Sequence, residues 1–217
     1  MDGRTFVETL EAAKATRLAA LVEPGRVTLA DAPTGDAATL LRVALANELG
    51  VSELAAAWMA STPEVDVKLA FARQAGDEAS HFQLVATRLA ALGVDVDAFT
   101  PPPDNPLFGY LKGLTTTVER IAAGLVTLES IAYGVNLHFM AYCAARGDHE
   151  TVRIYEAYIQ PDERAHQALG QTLLAKYATT PAQQQTARAA METVLDLATA
   201  ARAQAAARLG VACLPGC

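Results

Sequence analysis

Twice in this chain an aspartate and a glutamate are followed at a fixed spacing by a histidine: Asp77-Glu78-Ala79-Ser80-His81 and Asp162-Glu163-Arg164-Ala165-His166. Residues three apart share one face of a helix. Each copy therefore sets a carboxylate beside an imidazole. Oxygen and nitrogen donors of this kind, supplied twice, are suited to ligate a pair of transition-metal ions. Chance is a poor source of the pattern. With four histidines in 217 residues, only ~0.2 Glu-x-x-His pairs would be expected, against two found, and the helical context asked of any spacing match is present.

Two more carboxylates stand alone in apolar surroundings. Glu48 is the one charged residue within Val43 to Ser52, and Glu129 is the one formal charge from Ile121 to Ala145. Burying an unpaired carboxylate costs several kcal/mol, and a metal ion would remove that cost. Glu53 and Glu119 compete for the same roles but lie in more polar stretches. His138 is nine residues past Glu129, which turns it to the opposite face, and His149 sits at an expected helix start.

These residues need four long helices to position them. Alanine and leucine dominate and β-branched clusters are few, which favours helix over strand. An amphipathic arm over residues 4–22, with Phe6, Leu10, Ala13, Leu18 and Leu21 on one face, is expected to stop at Pro24-Gly25. A first core helix follows over about 37–60, with Asp36 as its cap. Thr62 as cap and Pro63 at the first helical position signal the start of a second, ending at Gly93. Pro101-Pro102-Pro103 and Pro106 mark a stiff crossover. The third helix begins weakly near 107, is restarted by the capping-box pattern Thr116 to Glu119, and ends at Gly147. The fourth spans about 149–178, and Thr180-Pro181 starts a fifth that runs to about Leu209. Pro161 lies inside the fourth and must kink or split it. The domain boundaries are then 1–35 for the arm and loop, 36–179 for a four-helix bundle, and 180–217 for a fifth helix and tail. The fold class is all-α with one long crossover.

Heights along the helices agree with a shared site. Glu48 lies about 13 residues before its turn and Glu78 about 16 after it. Glu129 lies about 18 before Gly147 and Glu163 about 15 after it. At ~1.5 Å per residue, both pairs meet near mid-bundle.

The order Glu48, Glu78-x-x-His81, Glu129, Glu163-x-x-His166 resembles the di-iron carboxylate proteins of the ferritin-like superfamily, over about residues 37–178. The resemblance implies a ferritin-like bundle with six metal ligands. Glu78 and Glu163 would bridge two iron ions, and Glu48 and Glu129 would be terminal. Manganese or a mixed manganese–iron pair suits the same donors. In the oxygenase branch an aspartate before the ligand glutamate accepts the distal N–H of a ligand histidine. Asp77 and Asp162 are expected in that role, crosswise between the two motifs. Helical stepping from the ligands brings Tyr133, Asn136 and Glu156 toward a mostly apolar pocket.

The implied activity is that of an oxidoreductase that uses dioxygen to oxidise or hydroxylate a small, mostly apolar substrate. Its electrons would come from an external donor, because no cofactor motif is visible. A rubrerythrin- or ferritin-like ferroxidase or peroxide scavenger is the alternative, although there is no Cys-x-x-Cys pair for a rubredoxin iron. A tRNA hydroxylase is a further one. A net charge of −7 gives no support to nucleic-acid binding. A metal-free helical interaction module is the reading outside the enzymes.

The start of the chain shows no signal peptide, so a cytoplasmic protein is expected. Glu129 near a bilayer centre would cost roughly 2.5–3.5 kcal/mol, which argues against a membrane span. The arm and the fifth helix could pack on a second copy as a homodimer. Cys143 reads as a core residue. Cys213 and Cys217 make a poor zinc site without a second pair.

Overall fold

The computed structural model of the protein describes residues 1–31, 37–103 and 105–209, the side chains of 23–31 and 205–209 excepted. Among these residues there are seven helices and no strand. They are α1 (Gly3–Asp31), α2 (Ala37–Ser61), α3 (Val65–Ala91), α4 (Pro106–Lys112), α5 (117–145), α6 (149–177) and α7 (Pro181–Leu209). Helix α5 has three parts: an α-helical start Thr117–Arg120, a π-helical segment Ile121–Leu128, and an α-helical remainder Glu129–Ala145. Helix α6 likewise carries a π turn, Tyr155–Ile159, between His149–Ile154 and Gln160–Tyr177.

Two hairpins form the centre of the bundle, α2 with α3 and α5 with α6. Both α3 and α5 end in the same way. At the first, Gly93 (φ 81°) donates to the Ala90 carbonyl and Val94 to the Leu89 carbonyl. At the second, Gly147 (φ 78°) donates to Ala144 and Asp148 to Cys143. This bond pattern satisfies the orphan carbonyls of a helix end, and it needs a residue with positive φ, which glycine supplies without strain. Asp148 then caps α6, accepting from the Thr151 amide at 3.0 Å. The crossover between the hairpins contains α4, capped by Asn105, and buries Leu107, Phe108 and Leu111. The chain restarts as α5 with the Thr116–Glu119 capping box in place.

Two expectations about helix ends change. The backbone of α1 continues through Pro24-Gly25 to Asp31. A proline removes its own amide from the ladder and crowds the turn before it, but its φ is already helical, and here the backbone runs on past it. Thr62 does not cap α3. Its buried hydroxyl accepts from Arg120 Nη1 at 3.0 Å, and Glu64 stands at the helix start instead. Asp36, Cys213 and Cys217 lie outside the described residues.

The outer helices explain the long apolar run. Every residue of Ile121–Leu128 is buried, because α1 and α7 cover the α5–α6 hairpin on the side away from α2 and α3. Trp58 of α2 lies against Gly124, and α6 crosses so closely at Gly170 that a Cβ there would stand 2.6 Å from Leu125 Cβ. Each of Ile121, Leu125, Val126 and Leu128 is fully buried, and each contributes roughly 1.5–3 kcal/mol by burial. The run is apolar all round because it has neighbours all round. No helix among the described residues is long and apolar enough to cross a membrane.

The π segments have local causes. Pro161 has no amide to offer Ala157, and its ring crowds the preceding turn. The turn before it widens, with Gln160 N–H bonding to the Tyr155 carbonyl. In α5, side chains take up carbonyls of the widened stretch. Thr127 Oγ1 donates to Ala122 at 2.6 Å, and Ser130 Oγ and Lys14 Nζ both reach Val126, at 2.6 and 3.0 Å.

Candidate metal centre

Each of the four central helices delivers one carboxylate to the interior. Glu48 from α2, Glu78 from α3, Glu129 from α5 and Glu163 from α6 have no solvent exposure, and His81 and His166 are equally buried. Their donor atoms fall into two overlapping groups. Glu48, Glu78, His81 and Glu163 form one, and Glu78, Glu129, Glu163 and His166 form the other. Within each group the donor atoms lie within 4.8 Å of one another. Glu78 and Glu163 belong to both. Either group could hold a metal ion.

The histidines are oriented from outside. His81 Nε2 is 3.2 Å from Asp162 Oδ2, and His166 Nε2 is 3.0 Å from Asp77 Oδ2. The aspartates therefore reach across to the opposite motif. A carboxylate can only accept, so each Nε2 carries a proton and each Nδ1 is the nitrogen that faces inward. His81 Nδ1 is 3.2 Å from Glu78 Oε2 and 3.5 Å from Glu48 Oε2. His166 Nδ1 is 3.5 Å from Glu129 Oε1 and 3.6 Å from Glu78 Oε1. The aspartates remain partly exposed, with 34% and 44% of the side chain accessible for Asp77 and Asp162.

Without metal, this cluster is electrostatically strained. Burial, then the charge of Glu129, pushes Glu78 well above the usual carboxylate range, and Glu163 is raised for the same reasons. Burial would raise Glu129 as well, but the neighbouring Glu163 carboxyl, the facing His166 imidazole and the Gln74 amide hold it below its usual value. Burial opposes protonation of both histidines, yet the facing carboxylates win. His81 is raised to about 11 by Glu48 and Glu78, and His166 to about 9 chiefly by Glu129. Both oxygens of Glu48 and of Glu163, with Glu78 Oε1, Glu129 Oε2 and His166 Nδ1, lack a hydrogen-bond partner. Buried polar atoms are nearly always partnered. Two divalent cations would supply the missing partners and offset the four carboxylate charges.

No family model, curated protein or solved structure matches the chain. The chemistry of the site rests on its own residues.

The remaining candidates divide. Asn136 is buried on α5. Tyr133 is only half-buried, and its hydroxyl accepts from the exposed Arg164, so it faces the rim rather than a closed pocket. Glu156 is exposed. It was expected inward by counting seven residues back from Glu163. The π turn inserts an extra residue into that count, and Tyr155 and Ile159 are the residues turned inward instead. Glu53 is exposed, and Glu119 is used in the capping box.

Four residues around Glu129 have roles that spacing does not give, although stepping from Glu78 and Glu163 puts Gln74 and Gln167 on the faces that carry those carboxylates. The Gln74 amide donates to Glu129 Oε1, and Gln167 Nε2 donates to the Glu129 carbonyl at 3.1 Å. Lys14 is buried and bonds Ser130 Oγ at 2.7 Å and Glu11 Oε1 at 2.7 Å. Burial lowers the Lys14 pKa, against the opposing pull of Glu11. A signal existed for Lys14. It falls in register with Leu10, Leu18 and Leu21, a lone cation in an apolar stripe.

Proposed function

We propose that the protein binds two metal ions, iron by preference, and works as an oxygen-dependent oxidoreductase on a small, mostly apolar molecule. The observation that carries this reading is the pair of donor groups sharing Glu78 and Glu163. Two shared carboxylates, with one further carboxylate and one imidazole on each side, make a symmetric cradle for two ions. The set of hard oxygen donors and borderline nitrogens suits iron or manganese. It also supports the likeness to ferritin-like di-iron carboxylate proteins drawn from the sequence.

In this reading Glu78 and Glu163, which belong to both donor groups, would be shared by the two ions. Glu48 with His81 would complete one position, and Glu129 with His166 the other. Asp162 and Asp77 hold the imidazoles in the tautomer that leaves Nδ1 free to ligate. The apolar walls from Ile121 to Leu128 exclude water. Bound iron would supply the redox chemistry, with electrons from an external donor.

Full burial of the carboxylates favours a second reading, in which only small reactants arrive and the protein is a ferroxidase or peroxide scavenger. The first test is metal analysis of protein from iron-supplemented cells. About two irons per chain are expected, with loss of both in Glu78→Ala and Glu163→Ala. Wild-type protein that stays empty after anaerobic ferrous loading would overturn the metal reading. Oxygen consumption that depends on an added organic substrate supports the oxygenase. Peroxide turnover without one supports the alternative.

A further inference from the structure

Glu48 and Glu129 occupy corresponding places in the two hairpins, yet their surroundings differ. Glu129 is held at both ends. Its Oε1 accepts the Gln74 amide, and its backbone carbonyl accepts Gln167 Nε2 at 3.1 Å. Gln167 Oε1 lies 3.2 Å from the Ser130 hydroxyl, which itself accepts from Lys14 Nζ at 2.7 Å. Oε2 of Glu129 has no hydrogen-bond partner and is left for a metal. Neither oxygen of Glu48 has a hydrogen-bond partner, and His81 Nδ1 stands 3.5 Å from its Oε2. Gln74 is itself fully buried. Because a carboxylate offers only acceptors, the amide nitrogen is the atom turned toward it.

A ligand already fixed in its binding orientation loses no rotamer freedom when the ion arrives, whereas an untethered one does. An outer partner of a ligand also sets its direction and basicity. From this asymmetry we infer that Gln74 is a positioning residue that makes the two metal positions unequal. The position of Glu129 and His166 binds its ion tightly. The position of Glu48 and His81, with an untethered carboxylate, binds more weakly and is the first to release its ion or to free a coordination place. The inference rests on the two-metal reading and adds an order to it.

The test is anaerobic titration of the full chain with ferrous ion, followed by calorimetry. Two steps are expected in wild type, with affinities at least roughly tenfold apart. Glu48→Gln should remove the weaker step alone, and Glu129→Gln the tighter one. Gln74→Leu should weaken the tighter step by roughly 10–100-fold, as loss of an outer partner does, so that the steps converge. Should that variant fail to fold, Gln74→Met keeps the length, has no donor, and should give the same convergence. Equal steps in wild type would overturn the inference and leave the two-metal reading standing. So would a tighter step unchanged by loss of the Gln74 donor, or one removed by Glu48→Gln. Absence of both steps in wild type would overturn the two-metal reading itself.

Discussion

The two central hairpins carry the same candidate ligands on different backbones. Helices α2 and α3 are uninterrupted α-helices, whereas α5 and α6 each contain a π segment just ahead of a ligand. The segment in α5 ends at Leu128, next to Glu129, and that in α6 ends at Ile159, four residues before Glu163. Both hairpins keep some outer surface open, Val65 and Leu69 on the regular one and, less exposed, Leu137 and Tyr158 on the irregular one. The irregular one is covered by α1 and α7 and is stitched by Lys14, Ser130 and Gln167. A π segment leaves carbonyls short of partners, and in this chain the covering helices and side chains supply them. One ligand set therefore does not demand one backbone. It demands that the carboxylates arrive at the same height, and the irregular hairpin meets that condition with more supporting contacts.

The sharpest way to break the comparison is to remove a carboxylate that both positions share. Glu163→Gln takes away a buried carboxyl that burial and the neighbouring Glu129 charge disfavour in the metal-free protein. The variant is expected to melt higher than wild type without metal, and to lose the rise in Tm that metal gives wild type. That rise reflects about 4 kcal/mol when free metal is a thousandfold above Kd. Scanning calorimetry with and without ferrous ion measures both. Equal Tm shifts in wild type and variant would show that Glu163 is not shared.

Protons give the next largest effect. Without metal, His81 titrates at about 11 and His166 at about 9, both above the ordinary 6.5. At neutral pH both are protonated, and each must release a proton before Nδ1 can ligate. Metal binding should therefore acidify an unbuffered solution. Affinity should climb by about tenfold per proton released for each pH unit, the usual linkage for ligands that must deprotonate. Stability of the metal-free protein runs the other way. The contribution of the raised histidines is complete below about 6.5 and is lost as pH rises through about 9 and then 11. A pH-independent affinity between 6 and 8 would mean that the imidazoles do not ligate.

The crosswise aspartates separate the two positions. Asp162→Ala frees His81 and should weaken the position of Glu48. Asp77→Ala frees His166 and should weaken the position of Glu129. A loss of roughly 10–100-fold in the affinity of one ion, with the other unchanged, is expected in each case. Metal titration of both variants reads this directly. Unchanged affinity in either would remove that aspartate from the site.

How far the site could be read in the sequence follows from what sets each feature. Glu78, His81, Glu163 and His166 were legible because a spacing of three has one meaning in a helix. Glu48 and Glu129 were legible because a charge inside an apolar run needs a reason. The helix ends at Gly93 and Gly147, the Thr116–Glu119 capping box and the long crossover were local signals, and the backbone used them locally. Glu156 was misplaced because periodic counting cannot register the residue that a π turn adds, although Pro161 hinted at the disturbance. Thr62 was lost as a cap because Arg120, 58 residues away, claims its hydroxyl. Helical stepping puts Gln74 on the face of Glu78 and Gln167 on the face of Glu163, but the meaning of each lies in its partner Glu129 on another helix, which no spacing within one helix reveals.

The smallest effect tests how tightly the irregular hairpin closes. Alanine is favoured over glycine within a helix by about 0.5–1 kcal/mol. At Gly170 that gain meets Leu125, where a new Cβ would lie 2.6 Å from a Cβ and 3.0 Å from a backbone carbon. Those atoms cannot swing aside, and overpacking of a closed core costs about 1–3 kcal/mol. At Gly50, in the regular hairpin, the new Cβ would meet only the Phe108 ring, at 2.9 Å, and the far end of one side chain gives way more cheaply than a Cβ and a backbone carbon. Gly170→Ala should therefore lower stability in urea denaturation by about 1–2 kcal/mol net of the helical gain, while Gly50→Ala should leave it nearly unchanged. Because Gly170 lies against the π segment one turn from Glu129, its variant should also disturb the tighter metal step, which Gly50→Ala should not. If Gly50→Ala proves the costlier of the two, the close crossing of α5 and α6 is not what locks the irregular hairpin, and the stitching from Lys14 through Gln167 must carry that role alone.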